Sequence, residues 1–371
     1  MAKNNDGIET KKKLTKQGIL VIIILVIGII TIGAFGYYRS GLKAVSKKDE
    51  EVIVTIDEGM TPYQIAERLA ENKAIKSSAV FKFYIKRNKI SGFKFGTYKL
   101  NKNMDVDDII AELQKGSNYY PDNVNITFLE GKHMRWLAKL IASKTSITEE
   151  EVFNKQKDEA YLDTLIEKYW FLTDEIKNDD IYYPLEGYLF PDTYNFKANV
   201  TIEEIFKTML DEMENKLEPY KAKLQTSSNS IHQYLTMASI VEQEANDEES
   251  RKGVAQVFYN RLRATMSLGS DVTTYYGLKV DMSERNLTTK EIMQANSYNT
   301  RSTAMIGKLP VGPIGTISIS SLEAALYGDT SKEGYFYFVA DKNGKIYFTK
   351  NETEHNAKIK ELKQQGLWFT Y

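Results

Sequence analysis

Leu235-Thr-Met-Ala-Ser-Ile-Val-Glu-Gln-Glu-Ala245 is an apolar run closed by two carboxylates, Glu242 and Glu244. Just upstream, Ser230 and Gln233 form a Ser-x-x-Gln capping box and predict a helix from about Ile231. Ile231, Tyr234, Leu235, Ala238, Val241 and Ala245 recur at helical spacing, so one stripe faces a core. Glu242 follows Ala238 by four residues and Leu235 by seven, which sets it on that stripe. Glu244 follows Ile240 by four and Met237 by seven, on a second, smaller strip. A carboxylate among apolar groups loses hydration, and its pKa rises because the charged form suffers most. A general acid at neutral pH needs that rise. Spacing leaves both glutamates open and makes Glu242 the more buried. Two glutamates at a helix end also fit a plain solvated face.

On the C-terminal side, Asn246 and Asp247 offer caps for a next helix striped by Val254, Val257, Phe258 and Leu262, with Asn260-Arg261 near its end. Ser270-Asp271-Val-Thr-Thr-Tyr275 follows a glycine, and Ser297-Tyr298-Asn299-Thr300-Arg301 reads as a polar loop. Lys308-Leu-Pro-Val-Gly-Pro-Ile-Gly-Thr316 holds two of the chain's seven prolines and reads as a fixed loop. A helix over 320–326, capped by Ser320 or Ser321, precedes strands at 335–340 and 345–349. Asn343-Gly344 between them is a hairpin signal. A last helix spans 356–365.

On the N-terminal side, residues 202–224 read as one long amphipathic helix. Tyr182-Tyr-Pro-Leu-Glu186-Gly-Tyr-Leu-Phe-Pro-Asp-Thr-Tyr194 is dense in aromatics, Pro and Gly, which fits a cleft lining or a rigid packed loop. Residues 147–180 read as charged helix. A strand at 125–129 leads through Glu130-Gly131-Lys132 into a helix through Trp136, Leu137, Leu140 and Ile141. Residues 123–371 thus read as one α+β unit.

Residues 51–118 read as a small α/β module: a strand at 51–56, helices near 62–70, 78–87 and 106–113, and a strand at 96–100. Its size and strand–helix order resemble a LysM-like module, a glycan-binding class; a packing or spacer domain fits as well. Residues 18–38 carry no charge over 21 positions, enough at about 1.5 Å each to span a bilayer core. A secretory apolar region is shorter, so an uncleaved transmembrane helix is expected, with Ala34-Phe-Gly36 as the competing peptidase signal. Lys3, Lys11, Lys12, Lys13 and Lys16 precede the span, and Arg39, Lys43, Lys47 and Lys48 follow it. The positive-inside rule is nearly balanced, and long domains translocate largely regardless of charge. Residues 1–17 are read as a cytoplasmic tail and 39–50 as a linker; its eleven residues from Ser40 reach at most about 35–40 Å.

Composition excludes several chemistries. The chain has 371 residues and a net charge of −1, so no basic field points to nucleic acid. It has no cysteine, which removes disulfides, a thiol nucleophile and Cys-ligated zinc. His133, His232 and His355 are far apart and lack metal spacing.

Several blocks then converge in order: Leu185-Glu-Gly-Tyr-Leu-Phe-Pro-Asp-Thr193, Ala238-Ser-Ile-Val-Glu-Gln-Glu244, Val257-Phe-Tyr-Asn-Arg-Leu262, Tyr298-Asn-Thr300, Leu309-Pro-Val-Gly-Pro-Ile314, Tyr337-Phe-Val-Ala-Asp341 and Glu354-His-Asn356. Together they resemble the MltG (YceG-like) family of endolytic murein transglycosylases, over about residues 51–368 plus the anchor. Two departures bear on loop shape. Members usually continue the Gly-Pro-Ile loop with Asn-Pro-Gly, where this chain has Thr316-Ile317-Ser318. They also commonly place Pro after the aspartate matching Asp271, where this chain has Val272.

The resemblance implies a membrane-anchored, single-pass, cofactor-free enzyme with its catalytic domain outside the cytoplasm. Its substrate would be the glycan strand of peptidoglycan, cut between N-acetylmuramic acid and N-acetylglucosamine to leave a 1,6-anhydro end. Peptidoglycan synthases and the division and elongation machinery are implied as partners. The essential acid falls on Glu244, which leaves Glu242 as a structural neighbour bonded to backbone amides or to Arg261. Tyr298 and Asn299 are candidates to position the N-acetyl group or the developing charge, and Asn260 to bond near Glu244. Glu186 is a candidate cleft residue, and Asp271 is the runner-up acid. A two-carboxylate muramidase would use Asp271 or Glu186 as its second group. A non-catalytic wall-binding scaffold is the alternative from another class.

Overall fold

The computed structural model describes residues 16–119 and 123–368; the expected tail, 1–17, falls almost wholly outside the described residues. The chain divides into two compact units, residues 1–119 and 120–371.

The first unit begins with α1 (Lys16–Leu42), 27 residues long. Residues 24–42 of it are the one helix among those described that is long and apolar enough to cross a membrane. The helix runs four residues past the expected span, through Arg39 and Ser40, because nothing there caps or breaks it. Gly41 lets its end approach the third helix: a Cβ at that position would lie 2.7 Å from Val80 Cγ2. β1 (Glu51–Ile56) pairs antiparallel with β2 (Gly96–Asn101), Val54 opposite Tyr98. Alternation turns Val54, Ile56, Tyr98 and Leu100 inward. α2 (Pro62–Glu71) starts on a Thr61/Gln64 capping box with Pro at its first position. With α3 (Ser78–Arg87) and α4 (Val106–Lys115) it supplies Ile65, Leu69, Phe81, Ile85, Ile109 and Leu113 to a core of its own.

The second unit is mostly helical with two short antiparallel ribbons. β3 (Asn123–Thr127) pairs with β4 (Thr193–Lys197), and β5 (Tyr337–Ala340) with β6 (Ile346–Thr349). Between and around them run α5 (Met134–Lys144), α6 (Glu149–Gln156), α7 (Glu159–Lys168), α8 (Ile202–Leu217) and α9 (Lys221–Thr226). They are followed by α10 (Ile231–Glu244), α11 (Glu248–Arg263), α12 (Asp271–Leu278), α13 (Thr289–Ile292), α14 (Ile319–Tyr327) and α15 (Glu352–Gln364).

Three expectations shift at element ends. The helix expected over 202–224 breaks into α8, a 3-10 turn at Glu218–Tyr220, and α9. Pro219 has no N–H to continue the ladder. α14 is capped by Ser318, not Ser320 or Ser321: Ser318 Oγ accepts from Ser321 N at 3.1 Å. α15 starts earlier than position 356, on an Asn351 cap.

α10 is the central helix. From Ile231 through Glu242 every residue except Gln233 is buried, so the helix is enclosed all round instead of along one stripe. Its polar residues tolerate this by bonding their own backbone. Thr236 Oγ1 donates to His232 O at 2.7 Å, and Ser239 Oγ to Thr236 O at 2.8 Å. The Pro/Gly loop at 308–316 lies along it. His232 Nε2 donates to Val311 O (2.8 Å), and Ser239 Oγ accepts from Ile314 N (3.0 Å). The aromatic loop packs on that one through Gly187, whose φ of +78° and contact with Pro313 leave no room for a Cβ.

Candidate active site

Residues two apart on a helix point about 200° away from each other. Glu242 and Glu244 therefore meet different surroundings at the end of α10. The chain leaves the helix at Ala245 in extended conformation and re-enters helix at α11 on an Asp247 cap.

Glu242 is enclosed and bonded. Arg251 Nη2 meets Oε1 at 2.6 Å, with the side chains only 4% and 12% exposed. Ser318 N donates to Oε2 at 2.9 Å, and Ser318 Oγ donates to the same oxygen. The expected backbone amide is there, but the arginine is Arg251 and not Arg261. Ser318 thus caps α14 and ties it to α10.

Among the described residues Glu244 carries no ion pair. Protein atoms crowd its carboxyl while the residue keeps an opening to solvent. Ser270 Oγ donates to Oε1 at 2.6 Å. Loss of hydration pushes its pKa up, and the nearby charge of Asp271 adds to the rise. The Ser270 bond and the charges of Arg301 and Arg261 oppose it without cancelling it. Ser270 is itself held: its N–H donates to Thr300 Oγ1 (3.0 Å) and its carbonyl accepts from Thr273 Oγ1 (2.8 Å). Asp271, the first residue of α12, is ion-paired with Arg301, and both are substantially exposed. A carboxyl that holds its proton more tightly than an ordinary glutamate, fixed at one oxygen and reachable from outside, can deliver that proton from the other oxygen.

Arg261 holds loops instead of a ligand. It donates to the carbonyls of Phe336 (2.6 Å), Ser267 (3.2 Å) and Leu268 (2.8 Å), and its charge reaches Glu244 from there. Asn260 does not bond near Glu244 as expected. Its amide donates to Lys332 O and Tyr335 O, and its oxygen accepts from Gln256 and Arg263. Two donors and two acceptor sites are all it has. Asn299 is likewise complete and fully buried. It donates to Ile292 O and Gln294 O and accepts from Thr274 Oγ1 and Arg301 N. Tyr298 is buried between Tyr182 and Tyr276, with ring centroids 4.7 and 4.8 Å away. Neither Tyr298 nor Asn299 is free to hold an N-acetyl group. They shape the loop that carries Thr300 to Ser270.

Glu186 is 2% exposed and is not a cleft residue. Its Oε2 accepts from Met134 N and Tyr276 OH, both at 2.9 Å, at the start of α5. Burial pushes its pKa from the ordinary 4.5 up to about 7, against those two bonds and the charge of Arg135. A carboxyl whose folded pKa is raised stabilises the fold fully below its unfolded value. That contribution is lost as pH climbs through the folded value. Wild-type protein is expected to lose up to about 3 kcal/mol from this group between roughly pH 4.5 and 7.5. Glu186→Gln keeps an acceptor for both donors, so its melting temperature should vary less over that window. Identical pH profiles for the two proteins would overturn this.

Ser270, Arg251 and Ser318 were not singled out from sequence. Ser270 lies 26 residues from its partner. Only the Gly269 before it, at φ +64°, marks a tight turn against Arg261. Arg251 reaches Glu242 across a helix break, which no helical period spans.

The YceG-like family model matches residues 54–361. The endolytic murein transglycosylase of Bacillus subtilis (strain 168) is 37% identical over 332 residues, 89% of this chain and 89% of that protein. That of Streptococcus pneumoniae serotype 2 (strain D39 / NCTC 7466) is 32% identical over 348 residues; the match covers 89% of this chain and 62% of that longer protein. The crystal structure of a YceG-like protein from Listeria monocytogenes, at 34% identity, superposes with a TM-score of 0.67 over 84% of this chain and all of that one. The matched span runs from the first strand of the small unit into α15, so it takes in Glu242, Glu244 and every residue that bonds them: the chain belongs to the YceG-like family.

Proposed function

We propose that this chain is an endolytic lytic transglycosylase of peptidoglycan, with Glu244 as its one obligatory catalytic group. The observation that carries the reading is the setting of Glu244: bonded by Ser270 at one oxygen, open to solvent, and with its pKa pushed up by loss of hydration. Its relatives are named endolytic murein transglycosylases.

Glu244 gives its proton to the glycosidic oxygen as the bond to the muramic acid C1 breaks. The sugar passes through an oxocarbenium-like transition state. The C6 hydroxyl of the same muramic acid attacks C1, and the glutamate takes the C6 proton. The acid is thereby restored, and no water is consumed. Because the attack is intramolecular, its effective concentration is high, and no second carboxylate is needed to activate a nucleophile. Glu242 is locked to Arg251 and Ser318 and takes no part.

Mass spectrometry of products from un-crosslinked glycan strands tests the mechanism. The expected ends are 1,6-anhydro, lighter by one water than reducing ends. Reducing ends would instead indicate a hydrolase with Asp271, beside Ser270, as the second carboxylate.

Ser270 supplies a second test. Its hydrogen bond favours the ionised glutamate, so Ser270→Ala should raise the Glu244 pKa further. Glu244 must start protonated, so activity falls as pH rises through that pKa. The falling limb of the kcat profile should move to higher pH, with kcat down about tenfold from lost positioning. A limb that stays in place would remove Ser270 from the mechanism.

The remaining assignments belong to the same reading. α1 is a single-pass anchor with residues 1–17 cytoplasmic and the enzyme outside. Its exposed Ile24, Leu25, Ile29, Ile30, Ile32 and Phe35 call for a lipid covering. Residues 51–118 act as a LysM-like glycan-binding module, and 123–371 as the catalytic domain. Peptidoglycan synthases and the division and elongation machinery are its partners.

A further inference from the structure

Two charged side chains near Glu244, Asp271 and Arg301, take no part in the proposed proton transfer, and both are open to solvent. Their side chains are 54% and 40% exposed. An exposed ion pair adds little to stability, yet this one is mounted on a fully buried base. Arg301 N donates to Asn299 Oδ1 (3.1 Å), Ser270 N donates to Thr300 Oγ1 (3.0 Å), and Thr273 Oγ1 lies 2.8 Å from Thr300 Oγ1. Asn299, Thr300 and Thr273 have no exposure at all. Arg301 Nε donates to Asp271 Oδ1. The two terminal nitrogens of Arg301 and the second oxygen of Asp271 bond no described residue. The pair therefore presents donors and an acceptor to solvent beside the proposed acid.

Asp271 opens α12, and that helix turns one narrow face outward. Val272, Thr273, Thr274, Tyr276 and Gly277 are buried, whereas Asp271 is exposed and Tyr275 half-buried. Tyr275 follows Asp271 by four residues, so the two share the outward face, about 6 Å apart along the axis. Helical side chains lean toward the N-terminus, which tilts the Tyr275 ring toward Asp271. Tyr276, next in sequence, is packed against Tyr182 and Tyr298. Tyr275, by contrast, stacks on no described ring, and its hydroxyl bonds no described residue. Arg285, ion-paired with Glu291 at 2.6 Å, lies toward that hydroxyl from the loop after α12.

Donor, acceptor and aromatic face are the groups that a sugar ring calls for. Its C–H face packs on an aromatic ring, and its hydroxyl and amide edges form hydrogen bonds with charged groups. A polymer lies along a surface, so an open face serves it without a closed cavity. We propose that Tyr275 and the Asp271–Arg301 pair form a sugar subsite that holds the glycan strand one ring away from the bond at Glu244. Tyr275 carries the ring, Arg301 donates to its N-acetyl carbonyl, and Asp271 accepts from a hydroxyl. The subsite rests on the transglycosylase reading for the identity of its ligand, and it deepens that reading. The spacing suits a strand, because one turn of α12 separates Tyr275 from the residue beside Ser270, close to the length of one sugar. The pair also acts on the acid: Asp271 raises the Glu244 pKa and Arg301 lowers it, so a change in the pair is visible in the pH profile.

The test uses the full chain in detergent, with Tyr275→Ala, Tyr275→Phe and Arg301→Gln made separately. On un-crosslinked glycan strands Tyr275→Ala should raise KM about tenfold and leave kcat, the melting temperature and the falling pH limb where they are. Tyr275→Phe keeps the ring, so its KM should stay within about twofold of wild type. Arg301→Gln removes a donor and a positive charge, so KM should rise and the limb should move to higher pH. An unchanged KM in Tyr275→Ala or in Arg301→Gln, or a rise in Tyr275→Phe as large as in the alanine variant, would overturn the subsite. Binding separates the subsite from the reaction: strands are titrated into Glu244→Gln protein with and without Tyr275→Ala. If the wild type cuts no strand yet affinity falls about tenfold without the ring, the subsite stands and the transglycosylase reading falls. If strands are cut and the two proteins bind them alike, the subsite falls alone.

Discussion

Glu244→Gln is expected to lower glycan cleavage by about 10³-fold or more, roughly 4 kcal/mol of transition-state stabilisation. The substitution keeps the size and shape of the side chain and an oxygen that can accept from Ser270 Oγ. It removes only the proton that is given and taken back. The fold should not suffer. The folded environment raises the Glu244 pKa, so ionisation at neutral pH weakens the native state, and a neutral amide avoids that cost. The variant should therefore melt at or slightly above the wild-type temperature while making almost no anhydro product. Cleavage persisting near wild-type rates would refute the assignment of the acid.

The neighbouring change should do the opposite. Glu242→Gln turns an amide NH₂ toward Arg251 or forfeits the bonds from Ser318. Either way the Arg251 charge is left buried without its counter-ion, which costs about 3–5 kcal/mol. For a unit of this size that is a fall of roughly 10 °C in melting temperature. Below that temperature the folded protein should cut strands at near the wild-type rate. The double variant Glu242→Leu/Arg251→Met should recover most of the stability, because apolar replacement removes both charges together. If Glu242→Gln is inactive while fully stable, the two glutamates exchange roles.

The contrast between the glutamates was half legible in the sequence. The capping box and the apolar spacing located α10 to within a residue, because both are local signals. Spacing could also say that one carboxylate was more enclosed, and Glu242 is. It could not say which enclosure was chemically productive, because that depends on partners brought from elsewhere. Arg251 neutralises Glu242 across a helix break, and Ser270 meets Glu244 from a separate loop. Family resemblance, not periodicity, pointed to Glu244.

Polar residues misled in a consistent direction. Asn260, Tyr298, Asn299 and Glu186 look like cleft chemistry in a list of motifs, yet each is buried. Their bonds to backbone and to one another hold the loops around the site. A sequence motif records that a residue type is needed and not which side of the loop it serves. The helix break at Glu218–Tyr220 and the earlier start of α14 followed from single residues, Pro219 and Ser318, a serine two places before the first expected cap.

The junction after α1 has a mechanical consequence. The helix does not stop at the end of its apolar span. It continues to Leu42, where Gly41 seats against Val80, Tyr38 meets the Phe83 ring edge-on at 5.5 Å, and Tyr37 bonds Ser77. The small unit is therefore mounted on a stiff mast and does not hang from a tether. With α1 as the anchor proposed above, the standoff of the unit from the lipid would be set by helix rise, about 1.5 Å per residue. Deleting or inserting residues within 39–42 would both lift the unit and rotate it by about 100° per residue, so spacing and heading there change together.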